Sequence, residues 1–135
     1  MTRGEHGLPG DHRIGVDLVE VERLRKAVAR HPSLLERVFT PGERSYCEGR
    51  ADPIPHYAAR FAAKEAAFKA LSNPAHALSF LDYEVQVEGG RPRLILRGGA
   101  LKEARALGVR SVDLSISHEK GCAVAVVLVE CERAE

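Results

Sequence analysis

The sequence predicts an α+β domain, with segregated helices and mostly antiparallel strands, the sheet packed on one long central helix. Three observations carry this. Arg60 to Leu71, RFAAKEAAFKAL, is apolar on two opposed helical faces, the mark of a helix buried on both sides. Tyr83 to Glu88 and Arg93 to Arg97 alternate on either side of Gly89-Gly90, which reads as a hairpin. His12 to Val19, Val112 to Ser117 and Cys122 to Glu130 repeat with period two, as strands do.

At 135 residues the chain reads as a single domain, residues 1–135, with residues 1–12 a loose tail. The apolar content is ordinary and the charges nearly cancel at +1, so neither a disordered nor a membrane class is suggested. No apolar run is long enough to span a bilayer, and Met1 to Arg13 lacks the apolar centre of a signal peptide, so the expectation is a cytoplasmic protein with no membrane contact. Cys47, Cys122 and Cys131 are odd in number and lack CxxC spacing, which argues against a disulfide framework or a thiolate zinc site.

In the first strand Ile14, Val16 and Leu18 share one face, and Gly15 and Asp17 the other. An acid there is either a strand-end or capping residue, or part of a site where the missing Cβ of Gly15 lets a ligand approach. From Val19 to Arg30 the period becomes helical, with an apolar stripe of Val21, Leu24 and Val28. Arg23, Lys26 and Arg30 form a stripe on the opposite side. This basic face is small and has no aromatic residue, which argues against nucleic acid. It is a solvated face or a dock for an acidic protein.

His31-Pro32 breaks that helix, Leu34 to Phe39 is a short helical piece, and Thr40-Pro41-Gly42-Glu43 spells a capping box with proline at the first helical position. The helix so opened runs towards Glu48. A two-proline loop, Arg50 to Pro55, then delivers the chain into the central helix near His56.

On the central helix Phe61, Phe68 and Leu71 lie opposite Ala62, Ala63, Ala66 and Ala70, so the charges are confined to the seams. Arg60 and Lys64 occupy one seam, Glu65 and Lys69 the other. A carboxylate beside two phenylalanines stays ionised only with a cation, a metal or good hydrogen bonds. Either Glu65 pairs with Lys69 within the helix, or it belongs to a site completed elsewhere.

After the SNPAHALS loop and the hairpin, Gly98-Gly99 opens a helix from Ala100 to Leu107, which Gly108 terminates. The last two strands meet in a turn around Glu119, Lys120 and Gly121. Ser117 and His118 are adjacent in a strand and point to opposite faces, which argues against a serine hydrolase. His118 at the strand end is a surface histidine, or one that binds phosphate or handles a proton.

From Ile14 to Glu130 the chain resembles the holo-acyl-carrier-protein synthase family, the single-domain phosphopantetheinyl transferases. The resemblance rests on IGVDLVEVER, RVFTPGE, RFAAKEAAFKAL, SFLDYEV, GGRPRL and LSISHE in that order. It implies transfer of the phosphopantetheine arm of coenzyme A to a serine of an acyl carrier protein. It implies Mg2+, with Mn2+ possible in its place, held by Asp17 and Glu65, and Lys69 acting on the leaving phosphate. Arg60, Lys64, Lys69 and His118 match positions that contact coenzyme phosphates, and Arg91 and Pro92 would lie near the adenine. Arg23, Lys26 and Arg30 would dock the acidic carrier protein, and a homotrimer would place active sites between subunits. The base that takes the serine proton stays open between a water and a carboxylate. One departure stands out: Ser72-Asn73-Pro74-Ala75 replaces the family's Gly-rich turn, and proline has no N–H to offer a phosphate. Two rival readings are a non-catalytic carrier-protein-binding module and a Mg-dependent hydrolase of nucleotide diphosphates.

Overall fold

The computed structural model describes residues 12–71 and 79–132. Residues 1–11 of the tail, the SNPAHALS loop up to residue 78 and its Ser72 to Ala75 departure lie outside the described residues, while His12, expected in the tail, is paired with Glu130. Strand β1 (His12–Glu20) leads into α1 (Val21–Arg30), followed by α2 (Leu34–Val38), α3 (Pro41–Glu48) and the long α4 (Pro53–Leu71). A 3-10 turn at Phe80–Asp82 opens the hairpin β2 (Tyr83–Glu88) and β3 (Arg91–Leu96). Then come α5 (Gly98–Ala106), β4 (Val109–Glu119) and β5 (Cys122–Cys131). β1, β5 and β4 form an antiparallel sheet in that order, and β2 pairs only with β3, so the architecture is α+β as expected.

The central strand is β5, whose Ala123, Ala125, Val127 and Val129 are fully buried. α4 packs on this face with its small residues: Ala62, Ala63, Ala66 and Ala67 are all 0% exposed. Small side chains let the helix backbone approach the sheet closely, and the approach is tightest at Gly15. A Cβ built there would lie 1.8 Å from the Ala66 carbonyl oxygen. Gly15→Ala therefore has to separate β1 from α4. The expected cost is about 2–3 kcal/mol in a chemical denaturation curve; an unchanged midpoint would show that the strand can shift freely.

Burial on β1 runs against hydropathy. Gly15 is buried and Asp17 half-buried on the helix side, while Ile14, Val16 and Leu18 are 67%, 53% and 56% exposed. Their β5 neighbours Leu128 and Val126, opposite Ile14 and Val16, are exposed too. The outer sheet face thus carries a contiguous apolar strip, of the kind that marks an interaction surface.

A second core joins α1, α2 and α3 to the first half of α4 around Phe39 and Tyr57, whose rings lie 4.7 Å apart. The capping box at Thr40 forms as the sequence requires. Thr40 Oγ1 accepts from the Glu43 amide at 3.2 Å, and Glu43 Oε1 accepts from the Thr40 amide at 2.9 Å. Several boundaries differ from the sequence reading; β3 is Arg91–Leu96 rather than Arg93 to Arg97, and α5 is Gly98–Ala106 rather than Ala100 to Leu107. α4 begins at Pro53 rather than near His56, because proline is at ease in a first helical turn. Val19 and Glu20 finish β1 rather than start α1, and β4 spans Val109 to Glu119, with hydrogen-bonded partners on β5 along its length. No helix among the described residues is long and apolar enough to cross a membrane.

Candidate active site

The close contact at Gly15 delivers Asp17, two residues on, to the flank of α4. There the Lys69 ammonium donates to Asp17 Oδ1 at 2.8 Å and to the Val16 carbonyl at 3.1 Å. This overturns the reading of an ion pair between Glu65 and Lys69: the lysine's partner is on another element, 52 residues away in sequence. Hydrogen bonding to Asp17 raises the Lys69 pKa, so it stays charged.

Glu65 has no direct ion pair among the described residues. Burial, and then the charge of Asp17, push its carboxyl above the usual carboxylate range, against the pull of Lys69. A strand acid and a helix acid therefore share one cleft, and the ammonium is bonded to the strand acid. The two acids border this cleft, of about 320 Å³, together with Glu20, Arg23, Leu24 and Phe61. Among the described residues no three His, Cys, Asp or Glu side chains converge. The donor set is a pair of carboxylates without nitrogen or sulfur, which fits a hard dication that completes its shell with water and substrate oxygens.

Lys64 is placed differently from the expectation that it contacts coenzyme. Its side chain is 0% exposed, and Nζ reaches Glu43 Oε1 at 2.6 Å, the Phe80 carbonyl at 2.9 Å and the Tyr83 carbonyl at 2.5 Å. Three protons meet three acceptors, and nothing is left for a ligand. The helical wheel puts Lys64 in a seam but cannot show that Glu43 folds across that seam. In the capping box Glu43 looked complete, which hid its second partner.

Arg60 is also buried, at 4% exposure, with its guanidinium 4.0 Å from the centre of the Tyr46 ring. Arg50 lies over the same ring at 4.2 Å. Arg60 Nε has no partner among the described residues, and the side chain borders a hollow of about 290 Å³ against Gly42, Glu84 and Gln86. His118 stands elsewhere, its ring 5.9 Å from that of His56, on a hollow of about 600 Å³. Arg91 and Pro92 border a third hollow, about 690 Å³, between the hairpin and β4. One chain thus brings Asp17, Glu65 and Lys69 together, with Arg23 on the rim of the same cleft, but sets Arg60, His118, Arg91 and Pro92 on other hollows.

Arg23, Lys26 and Arg30 are all exposed on α1. Arg25 between them is turned away, with bonds to Asp52 at 2.7 Å and Glu22 at 3.1 Å. Sequence reasoning missed Tyr46, Arg50 and His56. The available signal was spacing, since Tyr46 and Arg50, and His56 and Arg60, are each four residues apart.

A family model for the 4'-phosphopantetheinyl transferase superfamily matches residues 13–126. The chain belongs to that superfamily. Curated superfamily relatives include the holo-acyl-carrier-protein synthase of Moorella thermoacetica, 48% identical over 122 residues that cover 90% of this chain and 95% of the relative. That of Streptomyces coelicolor is 47% identical over 118 residues, covering 87% and 95%. Among solved superfamily structures, the Chronobacterium ammoniagenes ACPS–CoA complex aligns with TM-score 0.81 at 34% identity, over 90% of this chain and 98% of that one. The Helicobacter pylori holo-acyl-carrier-protein synthase in complex with coenzyme A aligns with TM-score 0.73 at 34% identity, over 87% and 99%.

Proposed function

We propose that this transferase moves the phosphopantetheine arm of coenzyme A onto a serine of an apo-acyl carrier protein and releases adenosine 3',5'-bisphosphate. The observation that carries the reading is the meeting of Asp17 and Glu65 on one cleft, with Lys69 bonded to Asp17, in a member of this superfamily. Asp17 and Glu65 would hold Mg2+ or Mn2+, which when bound supplies positive charge to the diphosphate. Lys69 is half-exposed and stays an ammonium, and with two protons given to Asp17 and the Val16 carbonyl its third can reach the leaving phosphate. In the reaction the serine oxygen bonds to the pantetheine-side phosphorus and the bridging P–O bond breaks. Lys69 stabilises the negative charge that collects on the departing oxygen.

Arg60, His118, Arg91 and Pro92 are the proposed coenzyme contacts. The apolar strip of Ile14, Val16, Leu18, Val126 and Leu128 supports a homotrimer, in which hollows separate on one chain join across subunits. α1 is the proposed dock for an acidic carrier protein, and Arg23 also borders the cleft that holds Asp17 and Glu65. Arg23→Glu is expected to raise the KM for carrier protein about tenfold or more, a loss of about 1.4 kcal/mol, and to change coenzyme affinity far less. Equal loss of both in titrations would remove α1 as the dock.

The experiment is the intact mass of apo-acyl carrier protein after incubation with the enzyme, coenzyme A and Mg2+. A gain of one phosphopantetheine unit establishes the transfer. No gain across several carrier proteins with coenzyme A intact favours the binding module, and coenzyme A consumed without a gain favours the hydrolase.

A further inference from the structure

The hollow at the start of α4 holds two histidines in contact, of which only His118 has a place in the coenzyme reading. His56 lies in the first turns of α4, half-buried, with its ring 5.9 Å from His118 and 6.2 Å from Tyr46. From α1 the hollow receives Glu22 and Arg25, and from the turn before α4 it receives Arg50 and Asp52. From the end of β4 and its turn come Glu119 and Lys120, and Cys122 adds a thiol. Arg60, on His56's own helix, lies against the far side of this cluster, donating to the His56 carbonyl.

The lining's three cations and three carboxylates balance, and Arg60 behind it adds a fourth cation. Arg25 is already engaged by Asp52 and Glu22, which leaves Arg50 and Lys120 facing Glu119. The surroundings are therefore mildly positive, and a proton on His56 adds to that charge.

We propose that His56, paired with His118, makes this hollow a proton-gated site for a phosphomonoester dianion, so that the terminal phosphate of the coenzyme is bound together with a proton. The proposal rests on the coenzyme reading above and adds its regulation by pH. Burial, followed by the charges of Arg50, His118 and Arg60, holds His56 below the ordinary imidazole range. It is neutral at neutral pH, and an arriving dianion reverses the local field and draws a proton from solvent onto the ring. Affinity then falls as pH rises. The phosphomonoester's own second ionisation, near pH 6 at about its usual value, acts in the opposite sense, because it supplies more dianion at higher pH. The two causes are separable by sign.

The test is isothermal titration calorimetry with coenzyme A and with 3'-dephospho-coenzyme A, at saturating Mg2+, at about pH 6 and about pH 8, in buffers of different ionisation enthalpy. The two ligands share the diphosphate, so their difference reports the terminal phosphate alone. Coenzyme A is expected to bind about tenfold or more weaker at the higher pH, with uptake of roughly one proton or less near neutrality, and the dephospho compound to show neither. His56→Phe keeps a ring against Tyr46 and His118 and should abolish the difference between the ligands. His56→Asn, also neutral, serves if the phenylalanine variant does not melt cooperatively. A terminal-phosphate contribution that grows with pH, or proton uptake retained in both variants, overturns the proposal. Absence of coenzyme A binding at either pH overturns the coenzyme reading and this proposal with it.

Discussion

Glu65→Gln is expected to lower phosphopantetheine transfer by about a thousandfold or more and yet to leave the metal-free protein at least as stable as wild type. The first effect follows if the carboxylate holds a cation worth about 4 kcal/mol at the transition state. The second follows from the site itself, where burial and Asp17 raise the Glu65 pKa. Between the unfolded and the raised folded pKa the native state binds more protons, so stability falls as pH climbs through that window. Glutamine removes this penalty. Thermal melts in chelator and in Mg2+ check it: the metal should raise the wild-type midpoint and leave the variant unmoved. A variant that is less stable in chelator and still active would sink the metal pair. Asp17→Asn should lose transfer equally but gain no stability, because it also removes the partner of the half-exposed Lys69, a contact worth about 0–1 kcal/mol.

Lys64→Met is expected to cost about 3–5 kcal/mol, or roughly 10–15 °C in midpoint for a chain of this size. Glu43 is 1% exposed, with Oε1 accepting from Lys64 and the Thr40 amide and Oε2 from the Val85 amide at 2.8 Å. Thr40 Oγ1 in turn donates to Glu84 Oε2 at 2.8 Å. Without the ammonium a buried carboxylate remains with two amide donors and no countercharge. Changing Glu43 to Leu as well should recover part of the loss, since the uncompensated charge goes while the Thr40 and Val85 amides lose their acceptor. A double variant much less stable than the single one would mean that the carboxylate's amide bonds outweigh its charge. Transfer should fall in the single variant too, because Glu65 is the next residue on the helix this network anchors.

Most of the local structure was legible in the sequence because its causes are local. The capping box at Thr40, the Gly89-Gly90 turn and the stop at Gly108 involve neighbouring residues, and each element appears where those residues demand. The partners of charged groups were less legible. Lys69 has a plausible acidic neighbour in Glu65, and Lys64 has none at that spacing on its own helix; their ion-pair partners come from β1 and α3. A helical wheel has no information about either. The acids of the cleft were still found, because a carboxylate inside a strand beside a glycine, and another between phenylalanines, conflict with their local surroundings. Tyr46 and His56 present no such conflict and were not singled out.

Strand pairing repeats every two residues, so β1 could in principle slide by one against β5 and turn its apolar strip inward. The point where Ala66 touches the strand forbids this. Either neighbour of Gly15 brought to that point would set a side chain against a carbonyl oxygen that has no room even for a methyl group. This close contact thus acts as a register pin: it rejects the more hydrophobic alignment and keeps Asp17 on the side of α4 and the cleft it shares with Glu65, with Ile14, Val16 and Leu18 facing outward.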